Sequence, residues 1–541
     1  MKRQSVLCGS VWLIGAAVAA KLLGAVFRLP LTAMLGGAGM GYFSCAYGLF
    51  LPVFALSVTG INTAVSVLTA QALAQNDPQT AGRLGRIALR MFGIGGAFCS
   101  LLLFLAAESF CGSVLRNPQA ALSVHCLAPA VWFCCINAVL RGQCEGRSSM
   151  MPTAVSQVAE GIGRAVCGLG LCGAVCRNSE RILRYLPAGT TCAEAASAAA
   201  ILGVTLSTAA GTAVLLLLRP KGDAPSGLPP VFRQKSDRRL RMALWRTLLP
   251  VSAASLVTNL TGLIDLALGL RLLAFSEMRA GASAAAAEET ANFLFGAYSG
   301  FAVTVFNLVP AVTNMFGKGV FPAFAESYAR HRTDETAHHA ETVMQRTALL
   351  AFPAGCGLAA LAEPVLTALF PARPAECAAA APALQLLGIA VIFTALGYPL
   401  FSMLQAAGHA GDTVTVMLAG GLCKLLCNLL LIPPYGLRGA AISTAACYAV
   451  ILLLACRKFR RRTGIRLPLL RLCLRHLYAG LLCGAAALAA YGYLPEQLPQ
   501  RVLLLIAAAA GGTIWLTASL LLRPRGSFFR HSGAYAQKSG K

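Results

Sequence analysis

The chain is a succession of apolar runs, each close to 20 residues long, separated mostly by short polar or basic stretches. An α-helix rises about 1.5 Å per residue, so each run matches the roughly 30 Å hydrocarbon core of a bilayer. Fourteen such runs can be marked, with approximate limits that include 8–34, 43–70, 121–140, 153–176, 244–270, 291–313, 413–432 and 438–456. This confines the chain to an all-α integral membrane fold, because open sheets and irregular backbone leave N–H and C=O groups unsatisfied in lipid. Composition agrees: 57% of the 541 residues are hydrophobic and 12% are charged, too little polar surface to cover a soluble globule. A cleaved signal peptide within MKRQSVLCGSVWLIGAAVAA is disfavoured, since the apolar character resumes past Lys21 as far as Leu35. The 20 cysteines show no CxxC pair and fall mostly inside the runs, where cysteine behaves as a small hydrophobe. Disulfides, a bound metal and a cofactor are therefore not expected.

The formal net charge of +25 raises the question of a polyanionic partner. A nucleic-acid surface would gather basic residues on one face with aromatics between them; here they are spread between hydrophobic runs. With the N-terminus placed in the cytoplasm, most of the 45 Lys and Arg fall on inner segments, including RPKGDAPSGLPPVFRQKSDRRLRMALWR (219–246) and RKFRRRTGIR (457–466). That is positive-inside asymmetry, with both termini cytoplasmic. The inner patches should attract anionic lipid headgroups, and no nucleic acid is needed to explain the charge.

The runs repeat. VAEGIGRAVCGLGL (158–171) aligns with LAGGLCKLLCNLLL (418–431), GVTLSTAAGTAVLLLL (203–218) with GAAISTAACYAVILLL (439–454), and AAKLLGAV (19–26) with VTNLTGLI (257–264). The order is preserved, pairing runs 1, 5 and 6 with runs 7, 11 and 12. Six helices per half give both halves one orientation, related by a pseudo-twofold axis along the membrane normal. The expected organisation is 14 transmembrane helices: an N-terminal six-helix lobe over 1–218, a basic cytoplasmic linker over 219–243, a C-terminal six-helix lobe over 244–456, two additional helices over 457–522, and a basic cytoplasmic tail over 523–541.

Four cations lie inside runs: Lys21 and Arg28 in the first, Arg164 in the fifth and Lys424 in the eleventh. Each would cost roughly 2.5–3.5 kcal/mol at a helix centre, so they are expected to face a cavity between the halves. Lys21 and Arg28 are seven residues apart, which places them about 20° apart around a helix and roughly 10 Å apart along it. Arg164 and Lys424 occupy matching positions of the repeat. Glu160, four residues before Arg164, forms a favourable helical pair with it, and Asp265 in the seventh run answers Lys21 or Arg28. Both acids are also candidates for ion coupling. Even with both paired, positive charge remains, and a buried cation without a partner is costly unless a ligand supplies the anion. Phosphate and carboxylate groups fit such a lining.

The segments KRQSVLCGSVWLIGAAVAAKLLGAVFRLPLTAMLGGAGMGYFSCAYGLFLPVFALSVTGINTAVS (2–66) and LRGQCEGRSSMMPTAVSQVAEGIGRAV (140–166) resemble the stage V sporulation protein B and polysaccharide-transporter family. Its superfamily includes the multidrug and toxin exporters and the lipid II flippase. The resemblance implies a two-lobed flippase that moves polyprenyl-pyrophosphate-linked glycans to the outer leaflet by alternating access, in cell-wall, spore-cortex or capsule assembly. It likens Lys21 and Arg28 to the first-helix cavity cations of the lipid II flippase, with lysine standing for arginine at position 21. That flippase also has cavity arginines in its second and eighth helices, whereas the corresponding runs here have none.

Two other functions make different demands on the sequence. A cation or drug antiporter of the same fold would require an acidic or aromatic cavity. A membrane glycan polymerase or glycosyltransferase would display acid, base or metal-binding residues on sizeable loops. The longest outer connections, around 177–195 and 271–290, hold glutamates without a catalytic pattern. Within LRGQCEGR (140–147) the glycines are expected to form a tight turn at the inner end of run 4, and GGAGMG (36–41) is expected to form a short outer turn.

Overall fold

The structure, a computed structural model, describes residues 6–55, 60–187, 189–218, 237–467, 469–495 and 499–521. Most of the expected linker and the C-terminal tail lie outside the described residues, as do some side chains within helices, Lys21 and Asp265 among them.

Every regular element among the described residues is helical. The first half holds α1 (Val6–Ala55), α2 (Asn62–Ala74), α3 (Pro78–Ser113), α4 (Ala121–Gly146), α5 (Met151–Gly163), α6 (Leu169–Arg177), α7 (Ser179–Leu183) and α8 (Cys192–Leu218). The second holds α9 (Asp237–Arg279), α10 (Ala284–Gly296), α11 (Val303–Phe306), α12 (Leu308–Ala329), α13 (Thr333–Ala360), α14 (Ala362–Leu369), α15 (Pro374–Ala406) and α16 (Ala410–Thr463). Two more follow, α17 (Leu469–Tyr493) and α18 (Gln500–Leu521). Among the described residues nine helical segments are long and apolar enough to cross a membrane, or ten if α13 and α14, bent by 83°, are one span.

Single elements hold more than one apolar run. A straight 54-residue helix such as α16 would be about 80 Å long, far more than a bilayer accepts. It breaks at Gly436 (φ 54°) between runs 11 and 12, and the 50-residue α1 breaks at Gly36 (φ 64°). Glycine occupies both breaks because a β-carbon disfavours positive φ. The expected turn over 36–41 is thus a sharp bend at Gly36.

Among the described residues two complete π turns interrupt spans: Arg164–Gly168 between α5 and α6, and Ala297–Ala302 between α10 and α11. A π turn shifts the i to i−4 ladder and leaves carbonyls open to other donors. Helix–helix contacts recur where the sequence repeats. A methyl added at Gly211 on α8 would fall 2.5 Å from Glu160 Oε1 on α5, and one added at Gly420 would fall 3.5 Å from Cys447 Sγ across the break of α16. Ser207 likewise faces Gly163, and its counterpart Ser443 donates to the carbonyl of Lys424, the neighbour of Gly163's counterpart (3.1 Å).

The expected turn at the inner end of run 4 is corrected. Gly142 and Gly146 are helical residues of α4, and methyls there would come within 2.7 Å of the carbonyls of Asn62 and Ser66 on α2. They are glycine because two backbones meet, which extends α4 beyond the apolar run and carries Arg141 inside it.

Candidate functional site

The two halves meet along α1. The bend at Gly36 withdraws local partners from its neighbours, and residues of the second half replace them. Arg373 donates from Nε to the Ala33 carbonyl (3.0 Å) and from Nη2 to the Met34 carbonyl (2.8 Å). The Gly37 N–H donates to Glu376 Oε1 (3.1 Å), which also lies 3.6 Å from Arg373 Nη1. Asn292 Nδ2 donates to the Ala38 carbonyl (3.1 Å), while Asn292 Oδ1 accepts from Asn117 Nδ2 (2.7 Å). Arg271 at the far end of α9 caps α3, donating to the carbonyls of Ser113 (2.7 Å) and Val114 (2.9 Å). Backbone–backbone contact completes the seam, with Gly296 of α10 lying against Gly37 and Gly41.

Further along α1 the seam reaches the second π turn. Arg28 Nη2 donates to the Ser299 carbonyl (3.2 Å), and Thr32 Oγ1 to the Gly300 carbonyl (3.2 Å). The hydroxyls of Ser44 and Ser299 lie 2.8 Å apart. Arg28 is half-buried, and its Nε has no hydrogen-bond partner among the described residues.

Arg28 and Arg164 sit on adjoining helices. Methyls at Gly161 and Gly168, which flank Arg164, would come within 2.9 Å of Leu23 and 2.6 Å of Phe27. Arg164 opens its π turn, is half-buried, and keeps a buried Nε unpartnered among the described residues. Neither arginine has a carboxylate within ion-pair distance among those residues. Lys424 is half-buried at the matching place on α16. The side chains of Lys21 and Asp265, expected in the same set, lie outside the described residues.

Glu160 is placed differently from the expected local pair. Its carboxylate accepts from Arg141 Nη2 (2.7 Å) and from Asn137 Nδ2 (2.9 Å), both on α4, rather than forming its ion pair with Arg164. Arg141 Nε donates to Ser156 Oγ (3.0 Å), and Asn137 Nδ2 also reaches the Thr208 carbonyl (3.1 Å). Arg141 and Glu160 are 5% and 7% exposed, so this pair is enclosed by protein. The physical reason is reach. Arg141 comes from a helix facing α5, and its fork can bind a carboxylate and a hydroxyl together.

Sequence reasoning passed over Arg141, Asn117, Asn292, Arg373 and Glu376. Arg141 lay one residue beyond the estimated end of run 4, and the asparagines were two among many. Arg373 precedes α15 and Glu376 lies in its first turn, and their partner residues are more than three hundred positions away. Among the described residues no group of three His, Cys, Asp or Glu gathers as metal ligands.

Comparison with known proteins extends the description. The family model described as lipid II flippase MurJ matches residues 65–507. Stage V sporulation protein B of Bacillus subtilis (strain 168) is 24% identical over 533 residues, covering 97% of this chain and 96% of that protein. Lipid II flippase MurJ of the same organism is 22% identical over 519 residues, 92% of this chain and 91% of that one. Among solved structures, lipid II flippase MurJ in an inward closed conformation matches with a TM-score of 0.69 at 12% identity, covering 94% of this chain and 98% of that chain. An inward-facing MATE transporter of the MOP superfamily matches at 0.64 and 14% identity, covering 82% and 94%.

Proposed function

This chain belongs to the lipid II flippase MurJ family, and from that premise we propose that it carries a polyprenyl-pyrophosphate-linked glycan across the cytoplasmic membrane by alternating access. The moving bodies are the six-helix lobes over 1–218 and 244–456, related by a pseudo-twofold along the membrane normal. Residues 457–522 add two helices beside them. The recurrence of the Glu160–Gly211 contact as Gly420–Cys447 supports that pairing. With both termini cytoplasmic, the bend at Gly36 lies at the outer face, so the seam built by Arg373, Glu376 and Asn292 is an outer gate in its closed state. The cargo serves wall, spore-cortex or capsule assembly.

The observation that carries the cargo class is positive charge without acidic partners among the described residues: Arg28 and Arg164 on adjoining helices, half-buried, with Nε–H groups that no described residue accepts. Guanidinium N–H donors pair with phosphate oxygens, and a pyrophosphate presents several. Lys21 and Lys424 complete the proposed set, and a soluble-facing sugar would follow the headgroup while the prenyl tail stays in lipid.

The test is leaflet accessibility of labelled polyprenyl-pyrophosphate sugars in vesicles containing purified protein. Arg28→Ala is expected to slow flipping on the order of tenfold or more, since hydrogen bonds to charged groups contribute about 1.5–3 kcal/mol. Arg28→Lys should retain part of the rate, because a point charge replaces the fork. Flipping by Arg28→Ala at the wild-type rate would remove this residue from the cargo site.

A further inference from the structure

The buried cluster around Glu160 has a second acid and two acceptors that the ion pair does not use. Glu145 lies four residues after Arg141 on α4, on the same helical face, and is close enough to feel its charge. It is half-buried near the end of the helix, where Asn62 Nδ2 of α2 donates to its Oε1 (3.3 Å). Asn62 Oδ1 and Asn137 Oδ1 are buried with no hydrogen-bond partner among the described residues. Both neighbours of Asn137 Nδ2, Glu160 Oε1 and the Thr208 carbonyl, are acceptors, so the orientation of that amide is fixed.

An amide that gives its N–H to one carboxyl oxygen and holds its own oxygen empty is half of an acid–amide pair. The missing half is the O–H of a protonated carboxylic acid. A buried acceptor left open costs free energy unless some state of the protein fills it. We propose that Glu160 carries the coupling proton of this transporter, alternating between an ionised form paired with Arg141 and a neutral form whose O–H donates to Asn137 Oδ1.

A proton from water adds to the Glu160 carboxylate, and its bond with Arg141 is lost. Arg141 then turns one helical turn to Glu145, which holds the Asn62 amide while Glu160 is ionised, so the neutral form does not leave Arg141 buried without a counter-charge, which would cost several kcal/mol. The other groups acting on Glu160 are the Cys134 thiol of α4 and Arg164 of its own span. From α8 the near neighbours are Thr208 and Gly211, which do not titrate, and α1 contributes Leu23 beside Gly161. Gly211 leaves the room that the carboxyl occupies. The cluster is polar toward Glu145, and so toward the inner face on the topology proposed above. In the present state, closed at the opposite end, that side is where the proton would leave. An exporter reset in this way exchanges one inward proton for each outward cargo.

The inference rests on the transporter reading, and its test reads conformation without cargo. Spin labels on encoded unnatural residues replacing exposed Arg116 and Glu289 would report the separation across the gate. In wild-type protein the ratio of open to closed populations should vary with pH, by at most about tenfold per pH unit for one linked proton. Glu160→Gln, a neutral mimic, should abolish that variation, and Glu160→Asp should keep it with a displaced midpoint. A wild-type gate indifferent to pH, or a Glu160→Gln gate that titrates like wild type, overturns the proposal even if neither variant transports. A gate that titrates in protein unable to move lipid-linked glycans would leave the proton assignment standing and remove the cargo reading.

Discussion

Arg141→Ala is expected to lower stability by about 3–5 kcal/mol, because it leaves the Glu160 carboxylate buried without its counter-charge. Arg141 and Glu160 are 5% and 7% exposed, so water cannot restore the lost solvation without opening the α4–α5 contact. Ser156 Oγ loses its Arg141 donor in the same change. Thermal unfolding in detergent should show a marked fall for Arg141→Ala. The double change Arg141→Met with Glu160→Met should recover most of it, since an apolar pair of similar volume removes both desolvation costs. Recovery in the double variant separates the charge from the packing. An Arg141→Ala protein as stable as wild type would show that the pair contributes no net electrostatic stability.

Gly296→Ala is expected to hold the seam, and with it the proposed gate, open. Its new methyl would lie 1.8 Å from the Gly37 carbonyl oxygen and 2.6 Å from the Gly41 nitrogen, and both are backbone atoms that cannot swing aside. The segments must part, stretching the Asn292–Ala38 and Glu376–Gly37 hydrogen bonds with them. Overpacking of this kind costs about 1–3 kcal/mol, which shifts the closed-to-open ratio by roughly 5- to 150-fold. The labels at positions 116 and 289 measure that ratio directly, and flipping should fall because the cycle loses one of its end states. Gly95→Ala is the control, since a methyl there meets nothing within 4 Å. A Gly296→Ala gate with wild-type distances would show that the seam yields without opening.

The two changes concern parts of the molecule that differ in how legible they were. Glu160 was visible as an acid inside an apolar run, and its i, i+4 spacing to Arg164 named a plausible partner. The partner it has, Arg141, lay one residue past the apolar run and looked like the start of a loop. Hydropathy marks where side chains become polar, whereas α4 continues to Gly146 because glycines let its backbone meet α2. Arg28 was read as a cavity cation. Its hydrogen bond to the Ser299 carbonyl depends on a π turn that no local pattern in ANFLFGAYSGFAV announces. The seam residues Arg373 and Glu376 carried no signal of their own. Their role follows from the bend at Gly36, which frees the carbonyls and the N–H that they bind.

The sequence by itself determined the solvent of this protein and hence its secondary structure. Apolar length and the distribution of Lys and Arg are local properties, and lipid admits few backbones that satisfy their own hydrogen bonds. Only the tertiary structure decided the partner of each charge and where the halves touch. Hydrogen bonds and ion pairs act over a few ångströms, and the residues that come so close here, such as Arg373 and Met34, are separated by most of the chain.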